Sequence, residues 1–133
     1  MQDGVVADEG CIQDYLSAIV AHDWGKVRAY VTEDVVRIGP YGDTFRGRET
    51  YVSYLERLMP KLEGYAMEVR RITYADDGRS AFAELTERVT VNGTPTVTEE
   101  VLVFAVDSTS LIERVEIYIR QSGTAPPRPS KES

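Results

Sequence analysis

Side chains that could hold a charge or move a proton inside a fold are few in this chain. The candidates are Tyr15 in a helical run, Arg37 in a short apolar strand and Glu100 in a long strand-like run, joined by either Glu87 or Arg88. A carboxylate opposite an arginine in a mostly apolar cavity can bind the polar head of a ligand or act as a weak acid or base. It can also be a buried ion pair without chemistry, because an arginine holds its carboxylate ionised and lowers its basicity. Tyr15 likewise stands where an aromatic is commonly core with its hydroxyl satisfied. The single histidine, His22, ends a helix beside Asp23, a structural or surface setting. The single cysteine, Cys11, rules out an intramolecular disulfide and reads as a small buried hydrophobe. One His and one Cys leave only carboxylates without paired metal-ligand spacing, so no metal is expected. Gly39-Pro-Tyr-Gly42 lacks the spacing and the Lys-Ser/Thr ending of a phosphate loop, and no serine sits in a nucleophile elbow, so no cofactor is expected either.

The chain that must position these groups has 133 residues, 42% hydrophobic and 28% charged. That suits one domain able to bury about two-thirds of its unfolded surface. A formal charge of −7, with fifteen basic residues scattered among twenty-two acidic ones, argues against a nucleic-acid partner. No apolar run approaches the ~20 residues of a membrane span and no signal-peptide pattern opens the chain, so the expected location is cytoplasmic, with no membrane partner. Residues 1–7 read as a flexible leader. Residues 122–133 are Pro/Ser-rich and aperiodic and read as a disordered tail.

Ile12, Tyr15, Leu16, Ile19 and Val20 recur at helical spacing. Asp23 is the N-cap of a second short helix carrying Val27, Tyr30 and Val31. A strand over Val35 to Ile38 leads through a Gly/Pro loop to a third helix from about Arg48 to Leu62, loosened near its end by Pro60. Four long strands follow, over Tyr65–Ala75, Ser80–Val91, Thr94–Val106 and Leu111–Gln121, with Asp76-Asp-Gly78 and Asn92-Gly93 as turns of an antiparallel meander. In the last strand Val115, Ile117 and Ile119 share one face. In the strand before it Thr98, Glu100, Leu102 and Phe104 share one face, and Val97, Val101, Val103 and Ala105 the other. A two-residue type I′ turn at Asn92-Gly93 points Leu85 and Glu87 inward, whereas a three-residue turn with a bulge points Glu84 and Arg88 inward. Both remain open on the sequence.

The order helix, helix, strand, Gly-loop, helix and four long strands, with Asp34-Val-Val-Arg-Ile-Gly-Pro-Tyr-Gly-Asp-Thr-Phe-Arg-Gly-Arg-Glu49 at its centre, resembles the nuclear-transport-factor-2-like superfamily and its SnoaL-like members. The resemblance covers roughly residues 8–121. It implies an α+β fold, three N-terminal helices on a curved, mostly antiparallel sheet, shaped as a cone around a pocket. It also implies that Phe104, and with it Leu102 and Glu100, faces the helices, and that Arg37 and Gly39 share the pocket side of the first strand. Ketosteroid isomerases of this superfamily use a first-helix tyrosine, an aspartate before the loop proline and a protonated aspartate on the penultimate strand. Tyr15 matches the first, but Gly39 and Leu102 stand at the others. Limonene-epoxide hydrolases carry an Arg-x-Asp pair and a last-strand aspartate. Thr86-Glu-Arg-Val-Thr-Val91 keeps Arg88 but has Thr90, and Ile117 replaces the last aspartate, as it does the acid/base residue of SnoaL-type polyketide cyclases.

The expected pocket is therefore lined by Tyr15, Arg37, Gly39, Tyr41 and Tyr54, with Arg88, Glu100, Leu102 and Ile117; Tyr41 and Phe45 form its rim. Arg37 and Glu100 are expected to face one another as an ion pair. The function expected is binding of a small, largely apolar molecule of polyketide, steroid or terpenoid type, with the family's aspartates missing. The alternatives are a hydrolase, isomerase or cyclase with acid/base groups relocated among Tyr15, Arg37 and Glu100, or a non-catalytic interaction module. The apolar outer face of Val97, Val101 and Val103 implies a homodimer through the convex sheet face.

Overall fold

The structure is a computed structural model, described here over residues 10–120. The expected leader lies wholly outside the described residues, as does the expected tail. Helix α1 spans Cys11–Val20 and α2 spans Trp24–Ala29, with the Asp23 carboxylate accepting from the backbone N–H of Lys26 at 3.2 Å as the expected N-cap. Strand β1 is Val31–Ile38, β2 is Thr44–Arg46, and α3 is Arg48–Leu58, followed by a tight helical turn over Met59–Lys61 that carries Pro60. Strands β3 (Glu63–Ala75), β4 (Ser80–Val91), β5 (Thr94–Val106) and β6 (Ile112–Ile119) complete one six-stranded sheet in the order β2-β1-β6-β5-β4-β3. Only the β1–β6 pairing is parallel. The fold is α+β, three helices on a mixed sheet.

Two local expectations are corrected. Val31 belongs to β1, not to the second helix, because it pairs with Ile112 while the carbonyl of Tyr30 accepts from the Ile112 N–H at 2.8 Å. The sheet thereby recruits a residue that helical spacing alone would keep in α2. The Gly/Pro loop is shorter than expected: Gly39 N–H donates to Asp43 O at 2.7 Å, and the chain returns as β2, with Phe45 opposite Arg37. Within β3 a register shift between Val69 and Arg71 moves the inward phase from Tyr65, Met67 and Val69 to Ile72 and Tyr74.

The turn left open on the sequence is the two-residue one. Asn92 and Gly93 both have positive φ, 51° and 80°, and Val91 pairs directly with Thr94, the geometry of a type I′ turn whose twist suits flanking strands. Leu85 is therefore fully buried and Glu87 is on the inner face, while Arg88 is exposed.

The core lies between the inner sheet face and the helices. Ile12, Tyr15, Leu16 and Ile19 of α1, Val27 of α2, and Tyr51, Val52 and Leu55 of α3 pack with Ala81, Ala83, Leu85, Leu102, Phe104, Ile112 and Val115. Burying each large aliphatic side chain here is worth about 1.5–3 kcal/mol. The opposite face mixes exposed Phe82, Val97 and Tyr118 with ion pairs, Arg71 to Glu84 at 2.6 Å and Arg70 to Glu99 at 3.2 Å among them.

Candidate functional site

Between α1, α3 and the inner sheet face lies a cavity of about 300 Å³. Its walls are mostly apolar: Leu16 and Ile19 from α1, Leu55 and Leu58 from α3, Met67 from β3, and Leu102, Val115, Ile117 and Ile119 from β5 and β6. Five tyrosines also line it, Tyr15, Tyr51, Tyr54 and Tyr65 with the exposed Tyr41, and its other ionisable lining residues among those described are Arg37, Glu87 and Glu100.

The two glutamates meet because the type I′ turn sets the β4–β5 register. Glu87 stands opposite Thr98 and Leu85 opposite Glu100, so Glu87 and Glu100 are diagonal neighbours on the inner face. Their carboxyls are hydrogen-bonded. Burial first, then the bond and like charge of Glu87, push the Glu100 carboxyl up to about 9, against a smaller opposing pull from Arg37. At neutral pH Glu100 is therefore a neutral acid donating to the Glu87 carboxylate. Glu87 also accepts a hydrogen bond from the Tyr65 hydroxyl, whose own ionisation is pushed far up by burial and by Glu87. The pair thus holds one proton between two carboxyls at the polar end of an apolar chamber.

A second polar contact joins α1 to α3. The hydroxyls of Tyr15 and Tyr51 are hydrogen-bonded to each other, and burial raises both above the ordinary tyrosine range. The ring of Tyr15 packs edge-on against Phe104 at 5.8 Å between centroids. Both hydroxyls therefore stay protonated and available as hydrogen-bond donors or acceptors, not as bases.

The expected Arg37–Glu100 ion pair is corrected. The Arg37 guanidinium donates from Nη1 to Asp43 Oδ2 at 2.9 Å and lies 5.3 Å and 5.7 Å from the ring centroids of Tyr54 and Phe45, which stack on each other at 4.2 Å. Asp43 reaches Arg37 because residue 39 is a glycine: a Cβ there would lie 2.3 Å from Asp43 Oδ1. The loop carboxylate fills the space that a side chain at position 39 would take. Gly39 consequently borders a separate depression with Pro40 and Tyr41 and is not part of the main cavity wall. Arg88 is likewise corrected: it lies on the outer face and pairs with Glu68 at 3.4 Å, because the two-residue turn directs Glu87 inward in its place.

Of the residues anticipated from the sequence, the structure brings Tyr15, Arg37, Tyr41, Tyr54, Glu100, Leu102 and Ile117 to the cavity. Tyr41 is 81% exposed at the loop tip, the position of a rim. Sequence reasoning missed Tyr51 on α3 and Tyr65 near the start of β3. It also missed Asp43, for which no local signal exists, because its partner is set by the closing of the β1–β2 hairpin. Among the described residues no cluster of His, Cys, Asp and Glu is arranged to hold a metal ion, and no helix is long and apolar enough to cross a membrane.

A fold of three helices on a six-stranded mixed sheet, enclosing a pocket with ionisable groups at one end, matches known proteins. The sequence pattern of the SnoaL-like domain matches residues 12–115, and the chain belongs to that family, within the nuclear-transport-factor-2-like superfamily. Among solved structures, a protein of Xanthomonas campestris pv. campestris provisionally assigned as a polyketide cyclase is 28% identical, with a TM-score of 0.70 over 82% of this chain and 87% of that one. An LEH-like epoxide hydrolase of M. tuberculosis is 24% identical, with a TM-score of 0.71 over 83% of this chain and 80% of that one. A protein of Shewanella denitrificans OS-217, provisionally assigned as a SnoaL-like polyketide cyclase, shares the fold at a TM-score of 0.74 with 11% identity, over 84% of this chain and 89% of that one. No curated protein matches the chain significantly.

Proposed function

We propose that this chain takes a small, largely apolar molecule into a cone closed by the helices and the sheet, and moves a proton at that molecule's polar end. The observation that carries the reading is that Glu87 and Glu100 lie together on the inner face of β4 and β5 in a mostly apolar chamber, where burial and the neighbouring carboxyl raise Glu100. A carboxylate and a carboxylic acid side by side are a base and an acid in one site. Glu87 takes a proton from one atom of the substrate and Glu100 gives its proton to another. Passing the proton back across their hydrogen bond then resets the pair. The reaction class is isomerisation or cyclisation, with the Tyr15–Tyr51 hydroxyls steadying charge that develops on a substrate oxygen. The aspartates that relatives place at positions 39, 102 and 117 are absent, so the acid/base work is relocated to β4 and β5. A pure interaction module would have no use for this arrangement.

Cavity size narrows the ligand. About 300 Å³ is at the lower end of the roughly 300–1,000 Å³ of small-molecule sites, which favours a one- or two-ring terpenoid or polyketide body over a four-ring steroid. The test is deuterium exchange of the α-protons of cyclohexanone and 2-cyclohexenone in D₂O, followed by NMR. Exchange faster than in buffer, reduced about 10²-fold or more in Glu87→Gln, is the expected result. Equal exchange with the wild-type protein and the variant would overturn the reading. The outer face, with Phe82, Val97 and Tyr118 exposed, supports a homodimer as part of this proposal.

A further inference from the structure

We infer that the polar end of the ligand is a basic nitrogen, an amine or ammonium on a small apolar body, seated against Glu87 and Glu100 and among Tyr15, Tyr51, Tyr54 and Tyr65. The inference rests on the reading above that this cavity takes a small apolar molecule at that carboxyl pair.

Charge is the first argument. Two carboxyls line the cavity against one arginine, and the Arg37 guanidinium is already bonded to Asp43 at 2.9 Å and placed near the rings of Phe45 and Tyr54. Among the described residues Glu87 and Glu100 therefore lie together in a mostly apolar chamber without a cation bonded to them, and burial there raises Glu100 so that it keeps its proton. An ammonium supplies the missing charge and up to three donors for the carboxylate oxygens. Both carboxyls can then ionise, the Glu100 proton passing to solvent, and the bound ammonium takes over the role of proton donor that Glu100 has toward a neutral ligand. A neutral alcohol offers one donor and no charge. A carboxylate ligand would bring a third carboxyl group, and further negative charge, beside the pair.

Aromatic surroundings are the second argument. Tyr15, Tyr51, Tyr54 and Tyr65 offer electron-rich rings as well as hydroxyls, and such rings attract a desolvated organic cation. The remaining walls, Leu16, Leu55, Met67 and Ile117 among them, suit an apolar body.

Binding has a pH signature. The charged or titratable groups around Glu100 are Glu87 on β4, Arg37 on β1, Tyr65 on β3, Tyr51 on α3 and Tyr15 on α1. Both Tyr51 and Tyr65 are held protonated by burial, so the group that releases its proton to solvent when an ammonium arrives is Glu100. Amine affinity should climb as pH rises towards about 9 and fall beyond the amine's own pKa, roughly 10.

The experiment is calorimetric titration of the full chain, at about pH 8, with the isosteric set cyclohexylmethylamine, cyclohexylmethanol and cyclohexanecarboxylate. The amine should bind tighter than the alcohol by about tenfold or more, with a proton released, read as a difference in heat between buffers of different ionisation enthalpy. Glu87→Gln and Glu100→Gln should each remove the preference. Equal binding of amine and alcohol, or tighter binding of the carboxylate, overturns the inference and leaves the proton-transfer reading in place. Failure of all three to bind overturns both.

Discussion

Glu100 keeps its proton because the sheet buries it beside another acid, and that choice can be read in stability as well as in chemistry. Its carboxyl is raised to about 9 in the folded protein from an ordinary 4.5. The folded state therefore binds more protons than the unfolded chain between those values, and stability falls as pH rises through that window. Its contribution is fully present below about 4.5 and lost as pH passes about 9. Glu100→Gln keeps a donor for Glu87 but cannot ionise. At about pH 5 the variant should lie within ~1 kcal/mol of the wild type, and towards pH 9 it should become the more stable of the two. Urea midpoints measured across this range check the sign. A wild-type profile as flat as that of the variant would show that Glu100 titrates normally.

The β4–β5 hairpin decides which acids meet. Asn92 and Gly93 hold left-handed backbone angles that a two-residue turn requires, and the turn fixes Leu85 opposite Glu100 and Glu87 opposite Thr98. Gly93 has open space where a Cβ would go, so the penalty of Gly93→Ala is conformational, not steric crowding. That substitution should cost about 1–2 kcal/mol, measured by denaturant unfolding. A change in amine or ketone handling out of proportion to this loss would mark a slip of register, because moving β4 by one residue replaces Glu87 with Arg88 on the inner face. The β1–β2 hairpin acts similarly on Arg37. Its tight return places Asp43 over Gly39 and balances the arginine from the loop side, which leaves the two glutamates to balance each other.

The proposed assembly uses the sheet face that the helices leave uncovered. The proposed dimer would bury Val97, Val101 and Val103, of which Val97 is 44% exposed and the other two half-buried. The neighbouring ion pairs, Arg70 with Glu99 and Arg71 with Glu84, are half-exposed and would stand at the rim of such a contact, where charged pairs set orientation more than affinity. Sedimentation at micromolar concentration should give twice the 14.9 kDa chain mass, and Val97→Lys should shift the protein to monomer. A wild-type monomer under those conditions would sink the dimer.

Periodicity and turn chemistry carried most of this architecture in the linear chain. The helical stripe of Ile12, Tyr15, Leu16 and Ile19, the Asp23 cap, the long alternating strands and the Asn92-Gly93 and Asp76-Asp-Gly78 turns are local features, and local sterics and burial act on them wherever the chain goes. Alternation put Glu100 and Leu102 on one face with Phe104, and the family resemblance turned that face toward the helices. The partners of the charges were not legible in the chain. Arg37 meets Asp43 through a hairpin closed over a glycine, Glu100 meets Glu87 through a strand register, Tyr15 meets Tyr51 across two helices, and β3 changes phase at a bulge. A residue pattern states which face a side chain takes, whereas a buried charge is stabilised or neutralised by whichever group lies within a few ångströms. That distance exists only once the sheet, its turns and the helices have packed.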